Sequence, residues 1–166
     1  RCEKVADIVP KDRPCVIWCQ LNAEADLIEK LIPDAVQVAG SHSDELKEER
    51  LNAFSLGQIR VLITKPRITC FGLNWQHCSD VVYYPDHSHE SFYQAIRRCW
   101  RFGQEKPVTC NLVYTEAEQK VVDNMLRKER LSVELYDRIV RWMGDAAKKA
   151  GRNGDMVRME APKWLG

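Results

Sequence analysis

The sequence predicts an α/β domain with a parallel central sheet covered by helices on both faces. Three observations carry this expectation. Short runs rich in β-branched and aromatic residues alternate with stretches whose apolar residues recur at helical spacing. The runs are apolar throughout, not polar on alternate residues, as strands buried on both faces are. The 166 residues are 45% apolar and 30% charged, enough for one ordinary domain with a sizeable core.

The elements follow in order. Pro14 to Cys19, PCVIWC, reads as a first buried strand. Asn22 is the expected N-cap of a helix, AEADLIEKLI, that Pro33 stops. Ala35 to Val38 is a second strand, and Gly40-Ser41-His42 a turn. Ser43 caps an amphipathic helix through Leu46, Leu51, Phe54 and Leu56, which ends at Gly57. Ile59 to Thr64 and Asp80 to Tyr84 are the third and fourth strands. Ser91 to Phe102 is expected to be helical, ending at Gly103, and Val108 to Tyr114 is the fifth strand. One helix is expected over Glu116 to Glu129 and a second from Ser132 to about Lys149, a helical extension that divides the chain into 1–130 and 131–166. After Ala150 two glycines, mixed charge and Trp164-Leu165 suggest a docked tail or a linker.

Formal net charge is +1, so any polyanion site must come from local clustering. The seven cysteines are odd in number and several lie in apolar runs, which points to free thiols in a reducing cytosol. A signal peptide and an apolar run near ~18 residues are both missing, which argues against secretion and membrane spanning. The chain begins at Arg1 without Met, so it is expected to be a piece of something longer.

Parallel sheets bind ligands at the carboxyl ends of their strands, so the loops after Cys19, Val38, Thr64 and Tyr84 are the ones to search. Three segments stand out. TKPRITCFGLNWQHC follows the third strand: Thr64 offers a hydroxyl, Lys65 and Arg67 charge, Gly72 close backbone approach, and Asn74 both donor and acceptor. An ordinary long loop reads the same way. SFYQAIRRCWRFGQ crowds Arg97, Arg98 and Arg101 into five positions, although like charges at helical spacing repel. As a helix it places Gln94, Arg98 and Arg101 on one face, so two guanidinium forks one turn apart could hold one multivalent anion. The plainer alternative is a solvated basic face paired with Glu90, Glu105 and Asp86. VAGSHSDE could present backbone N–H groups to a phosphate at a helix N-terminus, or be a plain capped turn. Zinc is disfavoured, since no C-x-x-C pair exists and the spacings of Cys15, Cys19, His77, Cys78, His87 and His89 fit no common finger. Trp18, Trp75, Trp100, Trp142 and Trp164 read as packing residues, with Trp75 also able to stack on a base.

In this order the parts resemble the carboxyl-terminal RecA-like domain of superfamily-two helicases and translocases, closest to the Swi/Snf-like branch in its phage and bacterial forms. The likeness covers roughly Pro14 to Glu129. QAIRRCWRFGQ looks like that branch's sixth motif, matching at Gln94, Arg98, Arg101, Gly103 and Gln104. FGLNWQ looks like its fifth motif and IWCQ its fourth.

The resemblance implies a three-layer RecA-like fold of the P-loop NTPase type. It implies ATP and Mg2+ held mainly by a missing amino-terminal lobe, with Arg101 as arginine finger and Arg98 as its partner on the phosphates. Gln94 would order the pair or couple it to the nucleic-acid side, and Gly72 and Asn74 would approach the nucleotide. Thr64, Lys65 and Pro66, with Gln20, Ser41 and His42, would touch the backbone of DNA, expected to be double-stranded, with RNA left open. No membrane partner is implied, and the location would be the cytoplasm of a bacterium or its phage. Cys70 and Phe71 replace two small residues before the fifth-motif glycine, and Trp100 replaces a smaller or polar residue, read as a packing substitution. The sequence has no G-x-x-x-x-G-K-[ST] loop and no acidic box, so alone it is expected neither to hydrolyse ATP nor to bind it tightly. Two other readings compete: a stand-alone phosphate- or nucleic-acid-binding module on the same scaffold, and a small α/β enzyme that clamps a nucleotide with its arginines.

Overall fold

A computed structural model of the chain describes residues 1–68 and 73–152, with side chains through residue 144. Five strands among these residues form one sheet: β1 (Cys15–Trp18), β2 (Ala35–Gln37), β3 (Val61–Thr64), β4 (Asp80–Tyr83) and β5 (Thr109–Leu112). Their order is β2-β3-β1-β4-β5 and every neighbouring pair is parallel.

Both faces are covered, for the reason visible in the strands. Cys15, Ile17, Val61, Ile63 and Val82 point to one side, where helices α1 (Cys2–Ile8) and α2 (Asn22–Leu31) bury Val5 and Ile28. Val16, Trp18, Leu62, Val81 and Tyr83 point to the other. There they meet Leu51 and Phe54 of α3 (Asp44–Ser55), Ala95 of α4 (His89–Arg97) and Met125 of α5 (Gln119–Arg152). Burying one such apolar side chain contributes about 1.5–3 kcal/mol, and successive strand residues do so on opposite faces. The result is the expected three-layer arrangement. β5 departs from the pattern: it is an edge strand, and Thr109 is exposed.

Local chemistry sets the helix ends. The Ser43 hydroxyl accepts from Leu46 N–H at 3.3 Å, and Gly57, at φ +73°, takes the left-handed turn that closes α3. α2 starts one residue earlier than an Asn22 cap implies: Leu21 is the cap, and Glu24 accepts from its N–H at 3.1 Å. α1 was not anticipated, since seven residues with two buried side chains give little periodicity. A 3-10 turn, Glu116–Glu118, leads into α5, one helix where two were expected.

The chain divides into two units, Arg1–Leu126 and Arg127–Gly166. In the second, Leu131, Leu135, Ile139 and Trp142 recur at helical spacing and are all exposed. The expected tail with Trp164 lies outside the described residues. None of the described helices is long and apolar enough to cross a membrane. Cys2, Cys15, Cys19, Cys78 and Cys99 are buried free thiols and Cys110 is half-buried; Cys70 falls outside the described residues. Burial pushes the Cys110 thiol up to about 12 and those of Cys15 and Cys19 higher still.

Candidate functional site

The sequence-selected residues gather at two places, at opposite ends of the sheet. The first is a cavity of about 310 Å³ lined by Gln20, Lys65, Pro66, Arg67, Asp86 and Ser91. Gln20 follows β1, Lys65 to Arg67 follow β3, Asp86 follows β4, and Ser91 lies in the first turn of α4. β1 sits between β3 and β4, and the chain leaves β1 and β4 in opposite directions along the sheet. This is the switch point where open α/β sheets take their ligands. The Gln20 amide donates to Tyr84 O at 3.0 Å. Asp86 accepts from Ser88 N–H at 3.1 Å and from the Tyr83 hydroxyl at 3.3 Å. Burial, and then the Asp86 charge, push the Tyr83 phenol well above its ordinary value. Two cations and one anion leave the cavity basic.

Gln20, Lys65 and Pro66 are thus brought together. Thr64, Ser41 and His42 are not among the cavity's lining residues. The Thr64 side chain is buried in the sheet and donates to Val38 O at 3.3 Å. His42 Nδ1 accepts from Ala39 N–H at 3.2 Å and closes its own turn, with Ser41 exposed beside it.

The second place holds the arginines. Arg97, Arg98 and Arg101 line a shallow cavity of about 340 Å³. α4 stops at Arg97, five residues before the expected end. Arg98 is its cap and Arg101 lies beyond it, so the two do not share a regular helical face. Gly103 takes φ +94°, which only glycine adopts without strain. Side chains then hold the chain in its new path. The Gln104 amide donates to Cys78 O at 3.1 Å and Cys99 O at 3.2 Å, and Gln76 donates to Phe102 O at 2.9 Å.

These bonds fasten residues 98–104 to residues 73–78. Trp75 N–H donates to Arg98 O at 2.8 Å, Arg98 Nη1 donates to Leu73 O at 3.3 Å, and Arg101 Nη1 donates to Asn74 Oδ1. Asn74 and both arginines therefore meet. Gly72 lies outside the described residues, with Cys70 and Phe71. The Gln94 amide donates to Glu90 Oε1 at 3.1 Å, on the exposed side of α4.

The arginines do not stand at the carboxyl ends of the strands, where the sheet rule placed them. α4 starts after the carboxyl end of β4 and runs back, so its last residues reach the amino ends of β4 and β5. Thr109 N–H donating to Ser79 O at 2.8 Å marks that end. Trp100 is also no packing substitution: the residue is 54% exposed, while Trp18 and Trp75 are fully buried. Three guanidiniums around one concave surface can hold a multivalent oxyanion. The crowding of Arg97 beside the other two was the sequence signal for its place in the cavity.

Comparison with known proteins agrees with this architecture. The profile of the helicase conserved C-terminal domain matches residues 1–103. No curated protein matches the chain. Among solved structures, the C-terminal part of the Fun30 ATPase domain superposes with a TM-score of 0.64 at 20% identity, covering 74% of this chain and 43% of that one. The C-terminal domain of the DEAD-box protein Dbp5 gives 0.64 at 15% identity, over 76% and 77%. Lhr helicase of Mycobacterium smegmatis, solved with ssDNA and AMP-PNP, gives 0.56 at 15%, over 67% and 16%. The chain thus spans less than half of the Fun30 structure. At such identities the likeness speaks for the fold, which is RecA-like. The profile covers more than half of the chain, which belongs to the helicase conserved C-terminal domain family.

Proposed function

We propose that the chain is the C-terminal motor lobe of an ATP-dependent DNA helicase or translocase of the Swi/Snf-like branch, cytoplasmic and of bacterial or phage origin. The observation that carries this is the arginine cavity, with Arg98 and Arg101 bonded to Leu73 and Asn74 at its edge. Guanidiniums keep their charge at any working pH and offer paired donors that match phosphate oxygens. Arg101 is the arginine finger and Arg98 its partner on the phosphates of ATP, which an amino-terminal lobe holds for the most part. Phosphoryl transfer spreads negative charge over the transferred oxygens, and a positioned guanidinium stabilises it. Asn74 keeps Arg101 aimed, and Gln94, between Ser91 and Arg97 on α4, couples the two cavities; Gly72, outside the described residues, keeps only the nucleotide-approaching role that the resemblance gives it. The arginine cavity does not suit Mg2+, since it offers only cations, and the described residues contain no group of three His, Cys, Asp or Glu placed for a metal. The proposal assigns Mg2+, like most of the ATP, to the amino-terminal lobe.

The switch-point cavity is the nucleic-acid side. Lys65 and Arg67 meet backbone phosphates there, with Gln20 and Pro66 beside them; Ser41 and His42 add contacts from the turn after β2, and the buried Thr64 contributes only by bonding to Val38 ahead of that turn. Phosphate contacts without base readout permit movement along any sequence.

The test is Arg101→Ala in the full-length protein. A kcat loss of roughly 10³-fold or more with nucleotide binding mostly kept is expected. Equal loss of binding and turnover favours a simple nucleotide clamp. The isolated chain is expected to show no ATP turnover with duplex DNA or RNA, and robust turnover sinks the assignment.

A further inference from the structure

Arg97 has no role in the mechanism above, yet two aromatic side chains hold it in place. Its Nε and Nη2 donate to the Tyr93 hydroxyl at 2.9 and 2.8 Å. Its guanidinium carbon lies 5.1 Å from the centre of the Tyr93 ring and 4.9 Å from that of Trp100. All of these partners are neutral. By contrast, Arg1, Arg13 and Arg60 are each matched by carboxylates. Glu90, one turn before the bracket, accepts from Gln94.

The distinction is chemical. A carboxylate fixes a guanidinium and neutralises it, whereas a phenol hydroxyl and two ring faces fix it and leave its charge available to an anion. Arg97 lines the same cavity as Arg98 and Arg101. Three like charges around one surface repel, and a multivalent anion relieves that repulsion. A helix-stabilising Tyr–Arg pair alone would not need Trp100, which lies beyond the end of α4 and is about half exposed.

We infer that Arg97 is a third phosphate-binding residue of the cavity, and that Tyr93 and Trp100 are its positioning residues, an aromatic bracket that orders the guanidinium without quenching it. The inference rests on the phosphate role proposed for the cavity.

The test is titration of inorganic tripolyphosphate into the chain by calorimetry at several salt concentrations, with melting temperatures checking that each variant folds. Arg97→Gln should weaken binding roughly tenfold or more, as loss of a charge-assisted hydrogen bond does, and flatten its salt dependence. Tyr93→Phe and Trp100→Leu should weaken it roughly two- to tenfold, the entropy of one freed side chain, at an unchanged salt slope. Arg97→Lys should restore the slope but not the affinity. Tyr93→Phe removes a single oxygen, so it keeps the test alive if Trp100→Leu does not fold. If Arg97→Gln binds like wild type while Arg98→Gln binds weakly, the inference falls and the phosphate cavity stands. If both aromatic variants match wild type, the bracket is overturned. If wild type shows no saturable binding at low salt, the inference falls, and the Arg101→Ala turnover experiment still judges the motor assignment separately.

Discussion

Trp75 is where the loop after β3 is anchored to the arginine segment, and replacing it tests that junction. Its ring is fully buried, 5.7 Å from the centre of Trp18 and edge-on to Phe54 at 5.2 Å. Its Nε1 donates to Ser55 Oγ at 3.0 Å, and its backbone N–H holds Arg98 O. Trp75→Phe keeps a six-membered ring and the backbone bond. It loses one neutral hydrogen bond, about 1 kcal/mol, and leaves the space of the five-membered ring, about 1–2 kcal/mol more. Ser55 still donates to Leu51 O at 2.9 Å, so no donor is orphaned on its side. The expected cost is therefore about 2–3 kcal/mol, and about 3–5 kcal/mol for Trp75→Ala. Urea unfolding followed by circular dichroism should show an unchanged slope and a midpoint lower by about 1 M or more for the Phe variant. Ser55→Ala should cost about 1 kcal/mol more in wild type than in the Phe background, because only in wild type does it orphan the buried indole N–H. A Phe variant within about 0.5 kcal/mol of wild type, or a Ser55 cost equal in both backgrounds, would refute the anchoring argument.

Gly103→Ala forces a side chain into a left-handed backbone at φ +94° and should cost about 1–2 kcal/mol in the same urea assay; a neutral result would mean that the turn can relax. The Arg13 guanidinium, bonded to Asp80 at 2.7 Å, holds that carboxyl below the usual carboxylate range. Because the folded-state pKa is depressed, the stabilisation is fully present above the unfolded value of about 3.9 and is lost as pH falls through the folded value. The melting-temperature gap between wild type and Asp80→Asn should thus be constant from neutral pH to about pH 5 and shrink below it; a gap that persists unchanged at acid pH would remove the ion pair from the account. Lys65→Ala in the full-length protein should weaken nucleic-acid binding by a similar factor on every sequence and lower the salt slope by about 1, and a sequence-dependent loss would argue against a phosphate contact.

The layers were legible because Val61-Leu62-Ile63 and Val81-Val82-Tyr83 leave no polar face, so helices must lie on both sides. The ends of α3 were legible because Ser43 and Gly57 act through local chemistry. The end of α4 was not. Ile96, Cys99 and Trp100 continue helical spacing, and what breaks the helix is tertiary: Gln76 and Gln104 capture carbonyls at Phe102 and Cys99. Leu21 displaced Asn22 as the cap of α2 because Glu24 reaches back to the backbone, a competition that residue type alone does not decide. The position of the arginines at the amino ends of the strands was in principle readable, since a helix joining parallel strands must run antiparallel to them. The rule that ligands gather at carboxyl ends obscured it.

The two cavities share their supports, and this constrains how they act together. α4 carries Ser91 in its first turn, at the basic switch-point cavity, and Arg97 in its last, at the arginine cavity. Nine helical residues span about 13 Å, close to the length of a four-residue strand. The segment after β3 does the same: Lys65, Pro66 and Arg67 line one cavity, and Leu73 and Asn74 are bonded to the arginines of the other. Ala95 and Cys99 pack α4 and its end against the sheet within one buried cluster that includes Trp75 and Cys78. Close-packed elements of this kind shift as bodies, not by bending within a turn. On the proposed function, a displacement imposed at Ser91 would therefore be carried along α4 to Arg97. If the two cavities take the ligands proposed above, α4 is the physical basis for coupling them, because one packed helix reaches both ends of the sheet.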